Sequence, residues 1–164
     1  MYKRQARYSG TIDEFIGDAI FVIFGAPIRR EDDPQRAAAC AVDMQRSMRD
    51  VNGELQSAGF RPLEMGIAIN TGEVVVGNIG SPRRAKYGAV GSPVNLVSRI
   101  ESCTVGGQIL ISESTLEEIF DHATTDGRYE VSAKGFAAPV ALYDLVGVGP
   151  PHNLELHRSR ERMR

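Results

Sequence analysis

The stretch GTIDEFIGDAIFVIF, residues 10–24, restricts this chain more than any other. Two strand-like runs, GTIDEF and AIFVIF, are parted only by Ile16, Gly17 and Asp18. Gly–Asp at that spacing closes a β-hairpin, because glycine takes positive φ freely and aspartate bonds its own turn backbone. An early antiparallel hairpin argues against a purely helical or purely parallel fold.

The remaining punctuation gives a mixed succession of elements. EDDP, with Pro34 in a first turn, opens a helix whose stripe of Ala37, Ala41, Met44, Met48, Val51 and Leu55 runs to about Ala58. Methionines in such a stripe are read as core packing. LEMGIAIN and GEVVVGNIG are read as strands joined tightly through Thr71 and Gly72, and SPRRAK as a polar loop. A short strand over Tyr87–Val90 leads to a helix with Ser92 as N-cap and Pro93 in its first position. GGQILIS is expected to form a strand, ESTLEEIF a short helix, and RYEVSAKG with PVALYDLV a closing antiparallel pair. There are no internal repeats and no regular βαβ alternation. The expected fold is therefore an α+β sandwich rather than a doubly wound sheet.

A chain of 164 residues, 42% hydrophobic and 24% charged, suits one domain with an adequate core. Its formal charge of −2 provides no electrostatic footprint for nucleic acid, so none is expected as a partner. No apolar run approaches the roughly 20 residues of a membrane span. Cys40 and Cys103 lack metal-finger or CxxC spacing and are expected to be reduced, buried thiols of a cytoplasmic protein. His122, His152 and His157 have no evident partners and receive no chemical role.

The helix after Gly91 carries Asn95 and Arg99 one turn apart on one face, with Leu96 and Ile100 on another suited to the core. Alone, such a polar pair describes a solvated stripe. Taken with FIGDAIFVIFGAP, MGIAINTGEVVVGNIGS, KYGAVGSPVNLVSRIES and GGQILIS, in that order from Gly10 to Leu145, it resembles the catalytic domain of class III nucleotidyl cyclases. The resemblance implies a ferredoxin-like βαββαβ core and a head-to-tail homodimer with active sites at its interface. It further implies that Asn95 orients the ribose and Arg99 steadies the α-phosphate as the 3′-hydroxyl attacks. A permanently charged, planar guanidinium suits a phosphoryl transition state.

The same resemblance assigns four further positions. Asp18 matches the second of two metal-binding aspartates, for two Mg²⁺ or Mn²⁺ ions, although a lone Gly–Asp also serves simply as a turn. Lys134 in SAKG matches a lysine on the triphosphate; an exposed strand-end lysine is the plain alternative. Glu14 and Gly88 match the two base-selecting positions. Guanine offers N1–H and a 2-amine, two donors that one carboxylate accepts together, whereas adenine offers a lone pair at N1. Glu14 thus points to GTP, unless it is only an exposed strand residue. Gly88, where guanylate cyclases commonly have Cys, leaves the 6-position unread.

One departure is visible. Family members begin with a strand bearing the first metal aspartate, then a phosphate-binding turn and helix, and only nine residues precede Gly10 here. Asp13, beside Glu14, does not replace that aspartate. MYKRQ is also what a GTG-initiated reading of a sequencing-library transposon end encodes. Residues 1–9 are thus expected to be non-native or truncated, 10–146 to form the catalytic domain without its first strand and helix, and 147–164 to be a linker or tail. Expected function is conversion of a purine nucleoside triphosphate, GTP foremost, to the 3′,5′-cyclic monophosphate and pyrophosphate in intracellular signalling. The alternatives are an adenylate cyclase using ATP and an inactive cyclase-homology module that dimerises or binds nucleotide. By itself the 164-residue chain is expected to turn over little.

Overall fold

The computed structural model describes residues 2–81, 83–132 and 139–156. Lys134 and His157 lie outside them. The elements run in the order α1 (Tyr2–Arg7), β1 (Thr11–Ile16), β2 (Ala19–Ile23), α2 (Asp33–Ser57), β3 (Ile67–Ile69), β4 (Val75–Ser81) and β5 (Arg84–Val90). They continue through α3 (Ser92–Glu101), β6 (Ile109–Ser112), α4 (Glu113–Ile119), β7 (Ala123–Val131), β8 (Val140–Val148) and β9 (Leu154–Glu155). The arrangement is α+β, as the mixed pattern predicts.

A five-stranded sheet in the order β3-β6-β8-β7, with β9 also paired to β8, forms the centre. β3 and β6 are parallel, while β6, β7 and β9 all pair antiparallel to β8. Helices pack on both faces of the sheet, and the two-residue period of β6 shows how. Ile109 and Ile111 pack with Ala38, Ala41 and Val42 of α2 and Ile119 of α4. Leu110, pointing the other way, packs with Ile100 of α3 and Leu142. All of these are nearly inaccessible to solvent.

Two hairpins stand apart from this sheet, β1–β2 and β4–β5, each an antiparallel pair of its own. In the first, Gly17 has φ 62°, the positive value that a two-residue turn requires of its first residue. The second is longer than the sequence suggests. Ser81 and Arg84–Lys86, expected in a loop, are paired strand residues, leaving only 82 and 83 between the strands.

Four other expectations are corrected. Gly91, not Ser92, is the N-cap of α3, and no side chain caps that helix. Cys103 lies beyond the end of α3 and is exposed, whereas Cys40 is buried as expected. β7 begins at Ala123, ahead of the RYEV run. The segment after Gly149 is not a free tail throughout: β9 continues the β8 edge, and Leu154 and Leu156 pack against the core. At the other end, α1 lies on α2, with Gln5 and Tyr8 buried and Arg4 paired to Asp43 at 3.3 Å.

Candidate active site

β1 is irregular at one point. Its pairing with β2 shifts between Ile12 and Glu14, so Asp13 is the extra residue of a β-bulge. Bulges re-aim side chains, and here the change brings two consecutive carboxylates to β5. Glu14 forms an ion pair with Lys86. Asp13 lies against Gly88, where a Cβ would stand 3.3 Å from each of its carboxylate oxygens. Lys86 and Gly88 are two residues apart on one strand and so share a face.

The Glu14–Lys86 pair is roughly half exposed, and such pairs contribute about 0–1 kcal/mol to stability. Its consequence is orientation. A carboxylate held by an ammonium group keeps lone pairs for other donors. Gly88 is buried beneath Asp13, although it has no side chain to present. Asp13 Oδ1 is itself buried and has no hydrogen-bond partner among the described residues.

Asp18 is exposed on the β1–β2 turn, beside Phe15 and Ile16, whose exposures reach 65% and 58%. Among the described residues, no group of three or more His, Cys, Asp or Glu side chains is placed to hold a metal. A single exposed carboxylate does not fit two Mg²⁺ or Mn²⁺ ions, so no step is derived through a metal from these residues.

Asn95 and Arg99 stand on another element, α3. The helix bearing them is anchored by Ile100 and Leu96 in the core and rests on β3 and β6. Polar contacts tie its first turn to the end of β3, and the end of β3 to α4. Asn70 donates from Nδ2 to the Pro93 carbonyl at 3.0 Å, and Ser114 donates to the Thr71 carbonyl at 2.8 Å. Thr71 and Thr115 hydroxyls meet at 3.0 Å, closing a network between the end of β3 and α4. Asn95 is exposed and Arg99 half-buried, its stem over a small apolar recess lined by Cys103, Val131 and Leu142.

Glu14, Gly88 and Asp18 thus fall on or beside the first hairpin, while Asn95 and Arg99 sit on α3. Lys86 and the position of Asp13 escaped the sequence reading. The two-residue spacing from Gly88 carries the signal for Lys86; nothing in TIDEFI reveals the bulge.

Comparison with known proteins identifies the family. Residues 8–146 match the family described as adenylate and guanylate cyclase catalytic domain. Adenylate cyclase 1 of Rhizobium meliloti is 29% identical over 145 residues, 87% of this chain and 22% of that protein. The terminal-differentiation-specific adenylate cyclase of Dictyostelium discoideum is 33% identical over 142 residues, 84% of this chain and 6% of its own length. The chain therefore spans no more than about a fifth of these two relatives. Among solved structures, the guanylyl cyclase Cya2 superposes with TM-score 0.91 and 54% identity, covering 95% of this chain and 79% of that one. The adenylyl cyclase CyaB from P. aeruginosa gives TM-score 0.84 and 34% identity over the same shares. By sequence and by fold, the chain belongs to the class III adenylate and guanylate cyclase catalytic domain family.

Proposed function

We propose that this domain converts GTP, in preference to ATP, to the 3′,5′-cyclic monophosphate and pyrophosphate in a head-to-tail homodimer. The observation that carries the choice of base is Glu14, held by Lys86 beside side-chain-less Gly88. Guanine N1–H and its 2-amine both donate to that carboxylate; adenine N1 meets it lone pair to lone pair. The likeness to Cya2, named as a guanylyl cyclase, supports the same reading.

Asn95 hydrogen-bonds the ribose and sets the 3′-oxygen in line with the α-phosphorus. The 3′-hydroxyl gives up its proton to water as the 3′-oxygen–phosphorus bond forms, the bond to the bridging oxygen breaks, and pyrophosphate leaves with the electron pair. Arg99 donates to the phosphoryl oxygens as their charge grows. Lys134 is proposed to contact the triphosphate, and Asp18 to be one ligand of Mg²⁺ or Mn²⁺. Because Asp18 is one carboxylate, little turnover is expected from these residues alone. A chain extended ahead of Gly10 by an aspartate-bearing strand is expected to gain it.

The dimer is supported by the exposed apolar residues of the two hairpins, Phe15, Ile16, Val75 and Val90. Free thiols at Cys40 and Cys103 fit a reducing, cytoplasmic setting.

The test is kcat/KM for GTP and ATP in the extended chain and its Glu14→Lys variant. One to two hydrogen bonds to a charged group are at stake, each about 1.5–3 kcal/mol, so the GTP preference should fall at least tenfold. A parent that prefers ATP, or a ratio unmoved by Glu14→Lys, removes Glu14 as the base reader.

A further inference from the structure

We propose that Asp13 is a second base-recognition residue, its carboxylate standing where Gly88 lacks a side chain and addressing the substituent at purine C6. This rests on the nucleotide site proposed above and adds a specificity determinant to it. Three observations converge. The bulge in β1 brings Asp13 to β5 alongside Glu14, so both carboxylates meet residues on one face of that strand. Both oxygens of Asp13 lie 3.3 Å from where a residue-88 Cβ would be, and Gly88 is buried beneath them. Oδ1 is buried with no hydrogen-bond partner among the described residues. A buried acceptor left unpaired is costly, and a ligand donor would relieve that cost.

The chemistry sets Asp13 against Glu14. An ionised carboxylate accepts from a 6-amine and repels a 6-oxo group. Glu14 favours guanine through N1–H and the 2-amine, while Asp13 favours any purine with a 6-amine. Discrimination between GTP and ATP is therefore partial. The same geometry obstructs conversion through residue 88: Gly88→Asp would crowd two carboxylates at one point.

The experiment uses the full chain and equilibrium displacement of a fluorescent ribose-modified GTP, so it does not depend on turnover. The competitors are GTP, ATP, and the riboside triphosphates of 2-aminopurine and 2,6-diaminopurine. The last two share an N1 acceptor and a 2-amine and differ only in the 6-amine. The chain should bind the diaminopurine nucleotide about tenfold more tightly than the 2-aminopurine nucleotide. Asp13→Ala should bring that ratio to about one. Asp13→Asn, nearly isosteric, should tighten GTP several-fold, because its amide can donate to O6. A residue that only supports β1 would weaken all four ligands together. Identical ratios in the parent and both variants would overturn the role of Asp13 while leaving Glu14 intact. A parent that binds none of the four would overturn the nucleotide site itself, and this inference with it.

Discussion

Strands β6 and β4 are both built mostly of small and apolar residues, yet they meet opposite fates. Every residue of β6 is buried between α2 and α3, while β4 is largely exposed, with Val75 at 70%. The β1–β2 hairpin resembles β4 in this respect, with Phe15 and Ile16 in solvent at its tip. One region completes its burial within the chain. The hairpins β1–β2 and β4–β5 hold apolar surface in reserve, and Glu14, Asp13, Asp18, Lys86 and Gly88 sit on them. Stability resides in the central sheet, and the residues proposed for recognition lie on hairpins that a second copy covers in the proposed dimer.

Truncation separates the two regions most sharply. Ile111→Ala should cost the chain about 2–5 kcal/mol, as large-to-small changes in a closed core do. Phe15→Ala should change the chain's own stability by less than about 0.5 kcal/mol and instead weaken self-association. Urea denaturation with sedimentation of the same samples checks both. Equal losses of stability at the two positions would erase the distinction.

Next in size is the effect of Arg99. In the extended chain, Arg99→Ala should lower kcat by about 10²–10³-fold with KM nearly unchanged, because the interaction strengthens only in the transition state. Asn70→Ala, which removes the bond to the Pro93 carbonyl, should lower kcat less. Steady-state kinetics distinguish this from a general loss of binding, which would raise KM.

The smallest effect is at the thiols. Burial, the largest cause, and the Asp43 carboxylate push Cys40 from its ordinary value of 9.0 up to about 12. In the unfolded chain Cys40 loses its proton first, so its contribution to stability is complete below pH 9 and declines between about 9 and 12. At about pH 8 a thiol reagent should label exposed Cys103 and spare Cys40. Intact-mass analysis after brief labelling reads the order; faster labelling of Cys40 would show that the α2 layer opens readily.

Legibility followed the same division. The core helix α2 was readable from Pro34 and a stripe of apolar residues, because burial on one face imposes a period. Gly17–Asp18 marked the first hairpin because a two-residue turn demands particular backbone conformations. The extent of β4–β5 was hidden, since a strand exposed on both faces has no alternation to read, and its arginines and Lys86 resembled a loop. Cys103 looked buried by continuation of a helix that ends at Glu101. β9 was concealed behind Gly149-Pro150-Pro151, residues that ordinarily end structure. Asn95 and Arg99 were legible as a pair, but their chemistry came from the family resemblance. The bulge at Asp13 depends on pairing across the hairpin, which no local pattern encodes.

In the proposed dimer the active site lies between two copies, the base reader from one and Arg99 from the other. Within one chain β1 rests on β5, while α3 rests on β3 and β6. The direct test mixes extended chains carrying Glu14→Lys with chains carrying Arg99→Ala and measures cyclic GMP formation. Each variant alone should be nearly inactive with GTP. Random pairing makes half the dimers mixed, each with one intact site of two, so the mixture should recover about a quarter of the parent activity. No recovery at concentrations where the parent is dimeric would contradict a shared site and place Glu14 and Arg99 in one chain's own pocket.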